Sequence, residues 1–308
     1  MSRVAAVDVG TNSVRLLVAE RNGSVLTPLE RLMTITRLGA GVDASGHLDD
    51  AALERTLTCL STYAGRWREL GAERVRISAT SAVRDATDRD RFFDGVLQRT
   101  GVQAEVLSGE QEARTAFRGA TSDVTDERPL LVLDIGGGST EFILGTDGPE
   151  AMTSRQLGCV RLTERSITTD PPTAADLVAA AAVIDAELDA VEQVVPCRDA
   201  RTLVAVAGTA TTVAALYLDL PDYRADVIHG TRVPAADVAR IAAELAAMTS
   251  PQRAALGPMA AGREDVIVAG ALILRRVVER FGFADVLVSE SDILDGLALE
   301  LAEETGSR

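Results

Sequence analysis

One short pattern occurs twice in this chain, and it constrains the fold more than anything else. Asp8-Val9-Gly10-Thr11-Asn12-Ser13 and Asp134-Ile135-Gly136-Gly137-Gly138-Ser139 share the same internal spacing. Each follows a short apolar run, Val4-Ala5-Ala6-Val7 or Leu130-Leu131-Val132-Leu133, and each opens into a second extended run. An apolar strand ending in Asp, then glycine and small residues, then another β-rich run, describes a tight strand–turn–strand. A single Asp-x-Gly after a strand is ordinary hairpin punctuation. Two copies at matching spacing, one in each half of the chain, report architecture: two similar domains, each built on the same hairpin.

The chemistry of such a turn follows from its residue types. Glycine lets the backbone approach a ligand closely. Successive N–H groups make a concave nest for an anion, and the hydroxyls of Thr11, Ser13 and Ser139 add donors. A carboxylate at the strand end, Asp8 or Asp134, is a hard oxygen ligand of the kind Mg²⁺ takes directly or through water. Glu141 follows the second turn by two residues, so it can share a face with Ser139.

The chain has 308 residues, enough for two cores. Its net charge of −15 opposes a nucleic-acid-binding surface. An anion site in such a chain has to be a local patch of arginine and backbone amide, helped by metal. There is no lysine, which excludes a Walker-type loop, a Schiff base or a lysine general base. Cys59, Cys159 and Cys197 are too few and too scattered for a disulfide framework or a zinc site. No run is long and apolar enough to cross a membrane, and the N-terminus enters a strand directly, so the expected location is cytoplasmic.

Strand and helix signals alternate, which predicts an α/β fold. After the first hairpin, 24–36 is expected to form a third strand with Gly23 as its turn. Asp49 or Asp50 caps a helix to about Leu70, ended by Gly71. Strands at 75–79 and 102–107 open onto Thr80-Ser81-Ala82-Val83-Arg84 and Ser108-Gly109-Glu110-Gln111-Glu112. The polar stretch 121–129 is the expected domain boundary, giving domains 1–123 and 124–308. The second half repeats the order: strands at 130–134, 139–145 and about 150–157, then helices. A strand at 201–207 meets Gly208-Thr209-Ala210-Thr211-Thr212 at a helix start. A helix is expected over 262–281, a strand over 285–289, and a last helix, 292–304, that is a candidate to pack back on the first domain.

Pattern alone leaves several roles open. Glycine and threonine at 208–209 suit phosphate at a helix N-terminus, or simply a capped helix start. Arg84, just past a strand end, is equally a phosphate clamp or a surface partner of Asp85 or Asp88. Glu110 and Glu112 lie in a first helical turn, where the dipole favours acids for structural reasons; the functional alternative is a general base. His47 and His229 are isolated.

Together these residues point to a family. The paired Asp-x-Gly hairpins and the later Gly-Thr turn resemble the actin, Hsp70 and sugar-kinase superfamily. The fuller set is Asp8-Val9-Gly10-Thr11-Asn12-Ser13, Thr80-Ser81-x-x-Arg84, Ser108-Gly109-x-x-Glu112-Ala113, Asp134 through Glu141 and Gly208-Thr209. In that order it resembles the exopolyphosphatase and guanosine pentaphosphate phosphohydrolase family over nearly the whole chain.

The resemblance implies two actin-like, ribonuclease H-like domains with a cleft between them. It also implies Mg²⁺-dependent hydrolysis of the terminal phosphate of inorganic polyphosphate. By position, Glu112 is the base and Glu141 acts with it, while Asp8, Asp134 and Glu141 serve the metal. Arg84 and the turns Gly10, Thr11, Asn12, Ser13; Gly136, Gly137, Gly138, Ser139; and Gly208, Thr209 hold phosphates. The implied partner is polyphosphate, with (p)ppGpp as inhibitor or substrate and neither nucleic acid nor membrane; a homodimer is compatible. Longer members carry extra helical domains, so short polyphosphates are the expected substrates. The family's Gly-Leu-Arg-Glu-Gly-like stretch reads Asp292-Ile293-Leu294-Asp295-Gly296 here, without the arginine. The alternatives are a pentaphosphate hydrolase, an ATP-using small-molecule kinase and a non-catalytic alarmone sensor.

Overall fold

The computed structural model describes residues 2–22 and 25–303. Gly23 and Ser24, expected at a turn and a strand start, and Glu304, expected at a helix end, lie outside them. The chain divides into two compact units, Met1–Gly119 with Ile293–Arg308, and Ala120–Asp292. The boundary thus falls a few residues before 123, and the last helix belongs with the first unit.

The first unit runs β1 (Ser2–Val9), β2 (Ser13–Asn22), β3 (Val25–Ile35), α1 (Val42–Ser45), α2 (Asp50–Glu69), β4 (Arg74–Ala79), α3 (Ser81–Asp85), α4 (Asp90–Thr100), β5 (Ala104–Val106) and α5 (Gly109–Ala120). Its sheet has the order β3-β2-β1-β4-β5. β1 pairs antiparallel with β2 and parallel with β4. Alternation along β1 and β2 sorts their apolar residues onto two faces. Ala5, Val7, Val14 and Leu16 join a core with Leu57, Leu60 and Trp67 of α2 and Phe92 of α4. Val4, Ala6, Leu17 and Ala19 join another with Ala116. Asp49 caps α2, its carboxylate accepting from the Ala52 N–H at 2.9 Å.

The second unit runs β6 (Leu130–Ile135), β7 (Thr140–Gly145), β8 (Pro149–Arg155), α6 (Cys159–Ser166), α7 (Ala174–Glu192), β9 (Thr202–Val206), α8 (Ala207–Tyr217), α9 (Ala225–Ile228), β10 (Arg232–Pro234), α10 (Ala235–Ala247), α11 (Ser250–Ala254), α12 (Ile267–Phe281) and β11 (Asp285–Val288). Its sheet order is β10-β11-β9-β6-β7-β8. From the β8 edge inwards, three antiparallel strands are followed by two added in parallel, as in the first unit. β10 is an addition that the sequence reading lacked. It is three residues long, contains Pro234 and sits at the sheet edge, where a missing N–H costs least.

α13 (Ile293–Glu303) is the last element of the described residues. Ile293, Leu294, Leu297, Ala298 and Leu301 complete the core on the second face of the first sheet. Asp295, in the stretch that lacks the family's arginine, accepts from Arg31 of β3 at 2.5 Å. α12 begins at Ile267, five residues later than expected, because 262–266 are held in turns. The Arg253 guanidinium donates to the Glu264 carbonyl at 2.7 Å, and the Gly262 N–H donates to the Glu264 carboxylate at 2.6 Å.

Candidate active site

The two hairpins close in the same way. The Gly10 N–H donates to the Ser13 carbonyl at 2.9 Å, and the Gly136 N–H to the Ser139 carbonyl at 3.0 Å. This fixes the register on either side, so Asp8 faces Arg15 and Asp134 faces Glu141. The copies differ in charge at that facing position. Arg15 holds the Asp8 carboxylate with two donors, at 2.8 and 3.1 Å. The second copy instead sets two buried carboxylates opposite each other, Asp134 and Glu141, and the latter accepts from the Ser154 hydroxyl at 2.7 Å.

In the first unit, β4 lies parallel beside β1 and β5 parallel beside β4, and their following helices bring in further groups. Thr11 and Ser81 share a hydroxyl–hydroxyl bond of 2.8 Å. Arg84 of α3 donates to the Glu112 carboxylate at 2.9 Å and to the Leu107 carbonyl at 3.1 Å. Glu112, in the first turn of α5, is buried. Burial pushes its pKa up to about 7; the Arg84 guanidinium opposes the rise, while the charges of Asp8 and Asp85 add to it. A carboxylate poised there can act as a base near neutral pH. Glu110 turns away on the same helix and pairs with Arg114 at the surface, 3.0 Å apart.

In the second unit, β9 lies parallel to β6, with Val206 level with Asp134. Gly208 and Thr209 therefore emerge beside the second hairpin, as the β4–α3 junction emerges beside the first. Ala207 holds φ +65, a left-handed conformation that costs a non-glycine residue energy and clusters at functional sites. The sequence reading did not single out Arg263. It is buried, donates to the Thr212 hydroxyl at 2.8 Å, and lays its guanidinium against Gly208, where a Cβ would have to displace it. It reaches this place from a turn 51 residues beyond Thr212, which no local pattern reveals.

Among the described residues, no group of three or more His, Cys, Asp or Glu is gathered to hold a metal ion. Asp134 and Glu141 are buried carboxylates at facing positions on adjacent strands. Facing carboxylates on adjacent strands repel, and hard oxygen donors of this kind suit Mg²⁺, which binds through one or two carboxylates plus substrate phosphate. No described helix is long and apolar enough to cross a membrane.

The duplicated sheet, each copy carrying the same Asp-x-Gly hairpin, defines an actin-like α/β protein. More narrowly, the chain belongs to the Ppx/GppA phosphatase family, whose pattern it matches over residues 16–305. It is 44% identical to exopolyphosphatase 2 of Mycobacterium tuberculosis, covering 98% of this chain and 99% of that one. A crystal structure of an exopolyphosphatase-like protein, 34% identical, superposes with a TM-score of 0.94 over 98% of this chain and 99% of that one. The Aquifex aeolicus family member, 29% identical, gives 0.83 over 100% of this chain and 99% of that one.

Proposed function

We propose that the chain is an exopolyphosphatase, releasing the terminal phosphate of inorganic polyphosphate by attack of water. The observation that carries this reading is Glu112, a buried carboxylate with its pKa lifted to about 7 and held by Arg84 in the unit that carries the first turn. Glu112 takes the proton of the attacking water. Arg84 orients Glu112 and offers its remaining donors to phosphate oxygens. Each unit's turns offer amides and hydroxyls to phosphate: residues 10–13 in the first unit, and 136–139 and 208–209 in the second, where the positive charge of Arg263 lies behind Gly208.

Mg²⁺ fits the Asp134–Glu141 pair. When bound it neutralises phosphate charge. Arg15 holds Oδ2 of Asp8 with both donors, so that oxygen serves a cation through water or serves by fixing Arg15. Cys59, Cys159 and Cys197 are buried and free, which fits a reducing, cytoplasmic setting.

The pH dependence tests the central pair. Glu112 must be ionised to accept a proton, so kcat/KM rises with pH through about 7. In Arg84→Met the opposing positive charge is gone, so the limb moves to higher pH by about one unit or more. A limb that stays in place excludes Glu112 as the titrating base. Comparing phosphate release from polyphosphate and from guanosine pentaphosphate fixes the preferred substrate. A higher kcat/KM for the nucleotide makes the chain a pentaphosphate hydrolase using the same apparatus.

A further inference from the structure

Each turn is gripped from behind by a short segment that follows its third strand. After β3, the N–H groups of Thr36 and Arg37 donate to the Asn12 carbonyl at 3.0 and 2.9 Å, and the Gly39 N–H donates to the Thr11 carbonyl at 2.8 Å. After β8, the Cys159 N–H donates to the Gly136 carbonyl at 2.9 Å, and those of Val160 and Arg161 donate to the Gly137 carbonyl at 2.9 and 3.1 Å. The Arg161 side chain adds a bond to the Gly138 carbonyl at 2.8 Å. The two segments share a buried leucine followed by glycine, Leu38-Gly39 and Leu157-Gly158. They extend the internal repeat beyond the hairpin.

Two consequences follow from the geometry. These peptides are trans, so a carbonyl turned one way turns the next N–H the other way. Fixing the carbonyls of residues 11 and 12 directs the N–H groups of Asn12 and Ser13 away from the gripping segment. Fixing those of 136–138 directs the N–H groups of Gly137, Gly138 and Ser139 likewise. The approach is also too close for any side chain. A Cβ on Gly39 would overlap the Thr11 γ-methyl and lie 3.1 Å from the Ala82 Cβ. A Cβ on Gly158 would overlap the Gly137 carbonyl group and lie 2.5 Å from the Gly138 nitrogen. Arg37, at φ +55, shows that the first segment is held against its backbone preference.

We propose that Gly39 and Gly158 are positioning residues. They let the two segments close on the turns and aim the turn amides at phosphate. This rests on the phosphate-binding reading of the turns. The collisions differ in kind, and the test uses that difference. At Gly39 the main obstacle is the Thr11 γ-methyl, which Thr11→Ser removes while keeping the hydroxyl bonded to Ser81. At Gly158 the obstacle is backbone, which no side-chain truncation relieves.

The experiment measures polyphosphate hydrolysis and tripolyphosphate binding by calorimetry, with circular dichroism as the folding control. The variants are G39A, T11S, G39A/T11S and G158A. G39A and G158A are expected to lose on the order of a hundredfold in kcat/KM and to bind tripolyphosphate more weakly. G39A/T11S is expected to match T11S alone within about threefold, so the glycine substitution is costly only when the γ-methyl is present. Equal loss from G39A in both backgrounds overturns the proposal, as does failure of G39A/T11S to fold where T11S folds. Wild-type rates in folded G39A and G158A overturn it as well. If wild type releases no phosphate from polyphosphate, the functional reading fails, and the same cycle is then decided on tripolyphosphate binding.

Discussion

Glu112→Gln is expected to lose about 10²–10⁴ of kcat, the range typical of a general base, while still binding tripolyphosphate. It is also expected to melt at a higher temperature than wild type at pH 8. The sign follows from the carboxyl's two environments. Its ordinary value is 4.5, and in the folded chain it is pushed up to about 7. Folding therefore favours the protonated form. Ionisation begins to cost stability as pH rises above 4.5, and the full cost, of order a few kcal/mol, is present above 7. A neutral amide of the same shape carries no such cost. The gain is therefore expected at pH 8 and absent at pH 4. Melting curves at the two pH values check this. A variant that is inactive and less stable at both marks Glu112 as a packing residue. One that turns over at a near wild-type rate excludes it as the base.

Asp134→Asn and Glu141→Gln are expected to raise the Mg²⁺ concentration needed for half-maximal rate by at least about tenfold, the lower end of what loss of a mere supporting group costs a metal site. Asp8→Asn is expected to do less to Mg²⁺ dependence, because Arg15 already holds that carboxylate at 2.8 Å. Mg²⁺ titrations of the initial rate separate the two. An equal shift in all three variants gives Asp8 the same role as the second-copy pair, and no shift in any moves the metal elsewhere.

What the sequence made legible was what lies close along the chain. The two Asp-x-Gly turns, the α/β order and the helix cap at Asp49 are all set by neighbours within a few residues. The Asp8–Arg15 pair was readable in principle. A turn closed by Gly10 and Ser13 forces positions 8 and 15 to face each other, and the same count pairs Asp134 with Glu141. Glu110 and Glu112 were not separable by pattern, since both are acids in one helical turn. Helix phase alone buries Glu112 and leaves Glu110 at the surface beside Arg114. Arg263 and the Leu-Gly segments were illegible for a different reason. Their partners lie tens of residues away and are backbone atoms or small side chains, which leave no periodic mark. The last helix was named from the sequence as a candidate to pack back on the first domain; the sheet face that α13 covers there is set by long-range packing, which linear order does not state.

The most direct measurement is the time course of orthophosphate release from polyphosphate of defined length, with Mg²⁺, by wild type and Glu112→Gln, with the remaining chains sized on a gel. The predicted result is orthophosphate from the first time point and chains shortened from their ends, with Glu112→Gln reduced to near background. Internal cuts without early orthophosphate, or equal release by the two proteins, would contradict it.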